Sequence, residues 1–174
     1  MSERDRPFRR DDLDPDPLQQ FGRWFADARE VVRAPEAMTL ATATPAGAPS
    51  ARMVLLKRAD ETGLVFFSHA TSRKGRELEA NPRAALLFYW DALGRQVRVE
   101  GVVERVDPAE ADAYFATRPR AAQVGAHASH QSEPVAGRAA LERRVEELER
   151  ELGGGEVPRP ERWGGFRLVP EEWE

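Results

Sequence analysis

Between Ala37 and Ser68 the sequence repeats every second residue, and only short turn-forming stretches interrupt it. Ala37 to Thr44 alternates apolar with hydroxyl side chains, as a half-buried strand does. Pro45-Ala46-Gly47-Ala48-Pro49 reads as a turn, Ser50 to Arg58 as the next strand, and Asp60-Glu61-Thr62-Gly63 as the turn into a third, Leu64 to Ser68. Three strands joined by such short loops imply an antiparallel meander. There is no strand–helix–strand alternation, which argues against a parallel doubly wound sheet.

The flanking segments extend this frame. Residues 1–13 are polar and are expected to form a flexible lead, followed by a single domain over residues 14–174. Asp16 and Pro17 open a helix whose Leu18, Phe21, Trp24, Phe25 and Ala28 recur at helical spacing. That aromatic stripe reads as core. A helix from Ser72 ends near Asn81-Pro82. Arg83 to Trp90 is an apolar run expected to be covered on both faces. Gln96 to Val106 alternates, with Gly101 marking a bulge. Asp107-Pro108 opens a helix broken at Arg118-Pro119, a further helical turn runs to Ala128, and Leu141, Val145, Leu148 and Leu152 form the apolar seam of another helix. Trp163 to Val169 reads as a late strand. The fold class is therefore mainly β with peripheral helices, a small closed or split antiparallel barrel.

Composition narrows the function. A net charge of −4, from 26 basic and 30 acidic residues, argues against a general nucleic-acid binder. No cysteine is present, which removes disulfides, thiolate nucleophiles and cysteine-ligated metals. The charged stretch Met1 to Asp12 has no apolar signal region, and no run approaches the ~20 residues that span a bilayer. The expectation is a cytoplasmic protein with no membrane and no metal partner; His127 and His130 lack carboxylates beside them.

Cations stand where the pattern disfavours them. Ser72 reads as a helix N-cap, yet Arg73 and Lys74 follow in the first turn, where the helix dipole favours anions. Each misplaced charge costs roughly 0.3–1 kcal/mol unless an anion sits there, and phosphate at a helix N-terminus is the common occupant. Arg52 and Lys57 lie in the apolar run Met53-Val54-Leu55-Leu56, on opposite faces of the strand by parity. Arg52 would join Arg73 and Lys74 if the Ser72 helix folds back. Tyr114 and Arg118, four apart on one helix, suit a second phosphate or carboxylate. Gln96 and the pair Gln131-Ser132 add amide and hydroxyl donors.

Taken in order, these segments carry a resemblance: Arg52-Met53-Val54-Leu55-Leu56-Lys57; Phe67-Ser68 with Ser72-Arg73-Lys74-Gly75; Asn81-Pro82-Arg83 with Gln96-Val97-Arg98-Val99; Tyr114-Phe115 with Arg118-Pro119-Arg120; Gln131-Ser132; and Trp163-Gly164-Gly165-Phe166-Arg167. Over nearly the whole chain, from about Asp16, the sequence resembles the pyridoxamine 5'-phosphate oxidase family. The resemblance implies an FMN-binding split β-barrel, a homodimer with flavin at the subunit interface, and oxidation of pyridoxamine or pyridoxine 5'-phosphate to pyridoxal 5'-phosphate with O2 reduced to hydrogen peroxide. It implies that Arg52, Ser68, Arg73 and Lys74 hold the FMN phosphate and ribityl end, that the Met53, Val54, Leu55 and Leu56 backbone and Phe67 line the flavin, and that Gln96, Gln131 and Ser132 bond to it, some from the other subunit. Lys57, Tyr114 and Arg118 would take the substrate phosphate. No catalytic side chain is implied, because the flavin carries the chemistry.

Three departures from the family pattern accompany the resemblance. Ala122 stands where the family usually has a serine on the substrate phosphate. The family's N-terminal covering segment has no evident counterpart before Arg9. A Trp and an Arg-x-His-x-Arg segment that follow in the family have no positions up to Glu174, so a truncated chain is the expectation. Two alternatives stay open: a flavin-binding split barrel without this activity, and an oxidase of another aromatic substrate such as a phenazine precursor.

Overall fold

The computed structural model describes residues 9–174, so the first eight residues of the expected flexible lead lie outside the described residues. Helix α1 (Pro17–Val31) starts where expected: the Asp16 side chain accepts a hydrogen bond from the Leu18 amide, and Pro17 occupies the first turn. Its aromatic stripe is core. Phe21 is buried and packs at ring-centroid distances of 5.1 Å on Phe88 and 5.7 Å on Trp173. Burying one such side chain stabilises the fold by about 1.5–3 kcal/mol, which fixes α1 across one face of the sheet.

The sheet has seven antiparallel strands: β1 (Ala37–Ala43), β2 (Pro49–Leu55), β3 (Arg58–Asp60), β4 (Gly63–His69), β5 (Arg83–Trp90), β6 (Arg95–Arg105) and β7 (Trp163–Trp173). Their order is β2-β1-β5-β6-β7-β4-β3. This corrects the expected meander. β2 pairs with β1, but β4, the third expected strand, pairs with β3 and β7 and not with β2. The chain leaves β2 at Leu56 and Lys57 and crosses to the opposite edge, where the Lys57 amide bonds the Val65 carbonyl at 2.8 Å. The expected strand over residues 50–58 is thus two strands with a crossing between them. The two edges of the curled sheet meet at that point, which makes it a split barrel.

Two further expectations change. Among the described residues β5 is buried on one face, through Leu86, Phe88 and Trp90, while Tyr89 on the other is 59% exposed. The late strand runs past Val169 to Trp173. The bulge falls where glycine marked it, between Glu100 and Gly101, and a Cβ on Gly101 would lie 2.0 Å from the Val169 carbonyl oxygen.

Helices α2 (Arg73–Ala80), α3 (Pro108–Ala116), α4 (Arg120–Ala128) and α5 (Arg138–Leu152) complete the chain. Phe115, Val124, Leu148 and Trp163 form a second apolar cluster, in which the α5 seam meets α3, α4 and the start of β7. Among the described residues no helix is long and apolar enough to cross a membrane.

Candidate functional site

The β4–α2 corner gathers the cations. Ser72 caps α2 as expected: its hydroxyl accepts from the Gly75 amide at 3.3 Å and donates to the His69 carbonyl at 2.7 Å. No acidic residue lies in the first turn. The Arg73 amide at the helix start donates to Ser132 Oγ at 3.1 Å. Lys74 is 7% exposed, and among the described residues its ammonium reaches neutral acceptors alone: Gln131 Oε1 at 2.7 Å, Ser68 Oγ at 3.0 Å and Ser72 Oγ at 3.3 Å. Burial, and secondarily the nearby Arg52 charge, push its pKa down to about 8.

Arg52 projects from β2 into the same corner. Its guanidinium donates to the Leu40 carbonyl at 3.2 Å, to Thr42 Oγ1 at 2.5 Å, to Ser50 Oγ, and to Glu77 Oε2 at 3.1 Å. An open cavity of about 380 Å³ is lined by Ser50, Ala51, Arg52, Met53, Arg73, Lys74, Gln131 and Ser132. Six of these are sequence-predicted flavin residues, brought together from β2, α2 and the loop before α5. A buried ammonium without a carboxylate, a helix start free of acids and a half-free Arg73 fork form a donor set that fits a phosphate monoester.

The other expected flavin residues are placed differently. Ser68 belongs to the corner through Lys74 and through its own bond to Gln131 at 3.0 Å. Val54 and Leu56 turn into the core, while Leu55 is 43% exposed on the outer face beside Met53. Phe67 points away from the cavity: its ring stacks 4.1 Å from Tyr114 and 5.1 Å from Trp163. Gln96 is exposed on β6, paired with Tyr89 on β5, and lines no part of the cavity.

Of the substrate residues, Tyr114 and Arg118 do not share a helix. α3 ends at Ala116, because Pro119 disfavours helical geometry at the residue before it. Both still converge on Trp163, Tyr114 stacked at 6.1 Å and the Arg118 guanidinium 4.9 Å above the ring. Arg118 Nη1 is buried without a hydrogen-bond partner, an orphan donor of the kind an anion satisfies. Lys57 lies elsewhere in the chain, lining a cavity of about 750 Å³ between α1 and the β2–β3 crossing. That larger cavity carries Arg29 and Arg58 beside Glu36, Asp60 and Glu61. Its charges are mixed, so the smaller cavity is the better anion site.

Sequence reasoning missed two groups. Glu77 is buried behind Arg52 and Arg73, and its place one turn after Arg73 was the available signal. His69 is buried with an unpartnered Nδ1, and nothing in its sequence neighbourhood announced that.

The family profile described as pyridoxamine 5'-phosphate oxidase matches residues 26–150. The pyridoxine/pyridoxamine 5'-phosphate oxidase of Rubrobacter xylanophilus is 61% identical over 165 residues, covering 94% of this chain and 76% of that protein. Pyridoxine/pyridoxamine 5'-phosphate oxidase 1 of Ralstonia nicotianae is 57% identical over 164 residues, covering 94% and 77%. Among solved structures, PhzG from Burkholderia lata 383, in complex with tetrahydrophenazine-1-carboxylic acid, superposes with a TM-score of 0.92 at 36% identity, covering 99% of this chain and 86% of that one. On the profile match and these identities, the chain belongs to the pyridoxamine 5'-phosphate oxidase family.

Proposed function

We propose that this chain is an FMN-dependent oxidase that converts pyridoxamine or pyridoxine 5'-phosphate to pyridoxal 5'-phosphate, with O2 reduced to hydrogen peroxide. The observation that carries the reading is the β4–α2 corner, where Lys74 is buried and, among the described residues, pairs with no acid, and where Arg73 stands at the helix start. Arg52, Arg73 and Lys74, with Ser68, Gln131 and Ser132, hold the phosphate and ribityl end of FMN. Bound flavin supplies the two-electron chemistry. The protein's part is to bind, orient and exclude water, so no side-chain nucleophile is assigned.

The substrate phosphate falls to Tyr114 and Arg118, whose orphan Nη1 is the donor awaiting it. Lys57 and Gln96 reach the same site only with the help of a second subunit. The outer face of the sheet supports a homodimer: Met53 is 62% exposed, Leu55 43% and Tyr89 59%, an apolar strip that a second copy would bury. Flavin then sits at the interface. A cytoplasmic location goes with this reading, since a phosphorylated substrate does not cross membranes unaided.

The test is turnover. FMN-loaded protein in air, given pyridoxamine 5'-phosphate, should release hydrogen peroxide and an aldehyde in equal amounts. PhzG's bound phenazine ligand and the alanine at position 122 favour a second reading, an aromatic substrate without phosphate. Equal turnover of pyridoxamine with and without its phosphate would support that one instead.

A further inference from the structure

Glu77 lies directly behind the phosphate cavity, 6% exposed, and lines none of it. Its carboxylate collects donors from three elements. Oε2 accepts from Thr42 Oγ1 on β1 at 2.5 Å, from Ser50 Oγ on β2 at 2.5 Å and from Arg52 Nη2 at 3.1 Å; Oε1 accepts from Arg73 Nε on α2 at 2.8 Å. Burial alone would favour its protonated form, but these bonds outweigh it and hold the pKa at about 2, so the group is ionised.

Two consequences follow from this geometry. Among the described residues, the Arg73 side chain bonds to Glu77 alone, although it is 59% exposed. A long exposed side chain is otherwise free to sample many rotamers, and this one bond at Nε holds Arg73 in the cavity lining. The wall also carries three positive groups, Arg52, Arg73 and Lys74. The Glu77 carboxylate behind them reduces the sum to two, the charge of a phosphate monoester above its second pKa of about 6.

We propose that Glu77 is a positioning residue of the phosphate pocket: it holds Arg52 and Arg73 in the wall and sets the wall's net charge to match a phosphate monoester dianion. This rests on the FMN reading above and adds to it the residue that selects the phosphorylated flavin over the unphosphorylated one. A carboxamide at this position keeps one acceptor oxygen but loses the charge, and its N–H2 group cannot bond a guanidinium, which has no acceptor. The exposed Arg73 fork would swing away first.

The experiment compares FMN with riboflavin, which has the same ring and ribityl chain and no phosphate. Dissociation constants are measured by flavin fluorescence quenching on the full chain stripped of flavin. The proteins are wild type, Glu77→Gln, Glu77→Asp, Arg73→Ala and the Glu77→Gln/Arg73→Ala pair. The expected result is that the riboflavin-to-FMN ratio of dissociation constants falls at least about tenfold in Glu77→Gln, the loss of one charge-assisted hydrogen bond, while riboflavin binding itself moves less than about twofold. In the double variant the losses should be less than multiplicative, because Glu77 acts through Arg73. An unchanged or increased ratio, equal weakening of both flavins, or fully multiplicative losses would overturn the proposal. If Glu77→Gln does not fold, Glu77→Asp carries the test: it keeps the charge but shortens the reach, so the ratio should fall by about threefold or more, and an unchanged ratio overturns the proposal. Wild type that binds neither flavin sinks the FMN reading itself. Wild type with a large ratio that Glu77→Gln preserves sinks only the role of Glu77.

Discussion

The Lys74 ammonium lies 2.7 Å from Gln131 Oε1, across 57 residues of sequence, and among the described residues it makes no ion pair. A buried cation held by an amide and two hydroxyls keeps its full charge, which favours an anion beside it. Its pKa, down from 10.5 to about 8 through burial and then through Arg52, is the electrostatic sign of that preference. A phosphate dianion would favour the protonated amine and raise its pKa again. FMN binding should therefore take up a proton above about pH 8, and affinity should fall as pH rises beyond it. Calorimetry in buffers of different ionisation enthalpy, near pH 8.5, checks the uptake. Zero uptake there would separate Lys74 from the phosphate.

His69 gives the fold an acid limit. Burial, followed by the charges of Arg162, Lys74, Arg118 and His130, holds its pKa at about 4 instead of 6.5. Between those values the unfolded chain binds a proton that the folded chain refuses. Stability is full above pH 6.5 and declines as pH falls toward 4, by up to about 3 kcal/mol. Glu77 has the depressed carboxylate's window, and its contribution is lost only lower, between pH 4.5 and about 2. Thermal melts at about pH 5 and pH 7.5 should show a clear drop for wild type and a smaller one for His69→Asn.

Gly165 has no room for a side chain. A Cβ there would lie 2.2 Å from Val106 Cγ2 and 2.8 Å from Phe67 Cε1. Phe67 cannot yield freely, being stacked on both Tyr114 and Trp163. Gly165→Ala should destabilise the protein by about 1–3 kcal/mol, as overpacking does. Chemical denaturation measures it, and a change within error would mean the aromatic stack is loose.

Arg118 should matter for substrate and not for flavin. Its Nη1 is buried without a partner, and it stands over Trp163 and lines no part of the Lys74 cavity. Arg118→Met should raise the KM for pyridoxamine 5'-phosphate by about 10- to 100-fold, the worth of a hydrogen bond to a charged group, and leave FMN affinity unchanged. Loss of flavin with equal severity would contradict the division into two anion sites.

The parity within β2 that turns Val54 inward and leaves Met53 and Leu55 outward was legible, because period 2 is a local property, but it does not carry to Lys57, which lies past the strand in the crossing. Also legible was the gathering of cations at the start of α2, since Ser72, Arg73 and Lys74 break the charge preference of a helix start within three residues. Pairing was not: nothing near Leu56 shows that the chain crosses there to the far edge, and β4 was assigned the wrong neighbour. The contact of Gln131 and Ser132 with α2 is a long-range loop closure, and only the family resemblance reached it. Arg118 was placed on the Tyr114 helix against the local signal of Pro119, which had already ended it. Glu77 was overlooked because an acid four residues after an arginine reads as a surface pair, and only the folded β1–β2 hairpin makes it a buried hub.

The central claim, that the β4–α2 corner grips the phosphate end of FMN, is tested most directly by titrating FMN into flavin-stripped wild type and into the Arg73→Ala/Lys74→Ala variant, with circular dichroism to establish that both are folded. The account predicts one FMN per chain for wild type and binding weaker by about 100-fold or more for the variant, the cost of two charge-assisted contacts. A folded variant that binds FMN as tightly as wild type would contradict it.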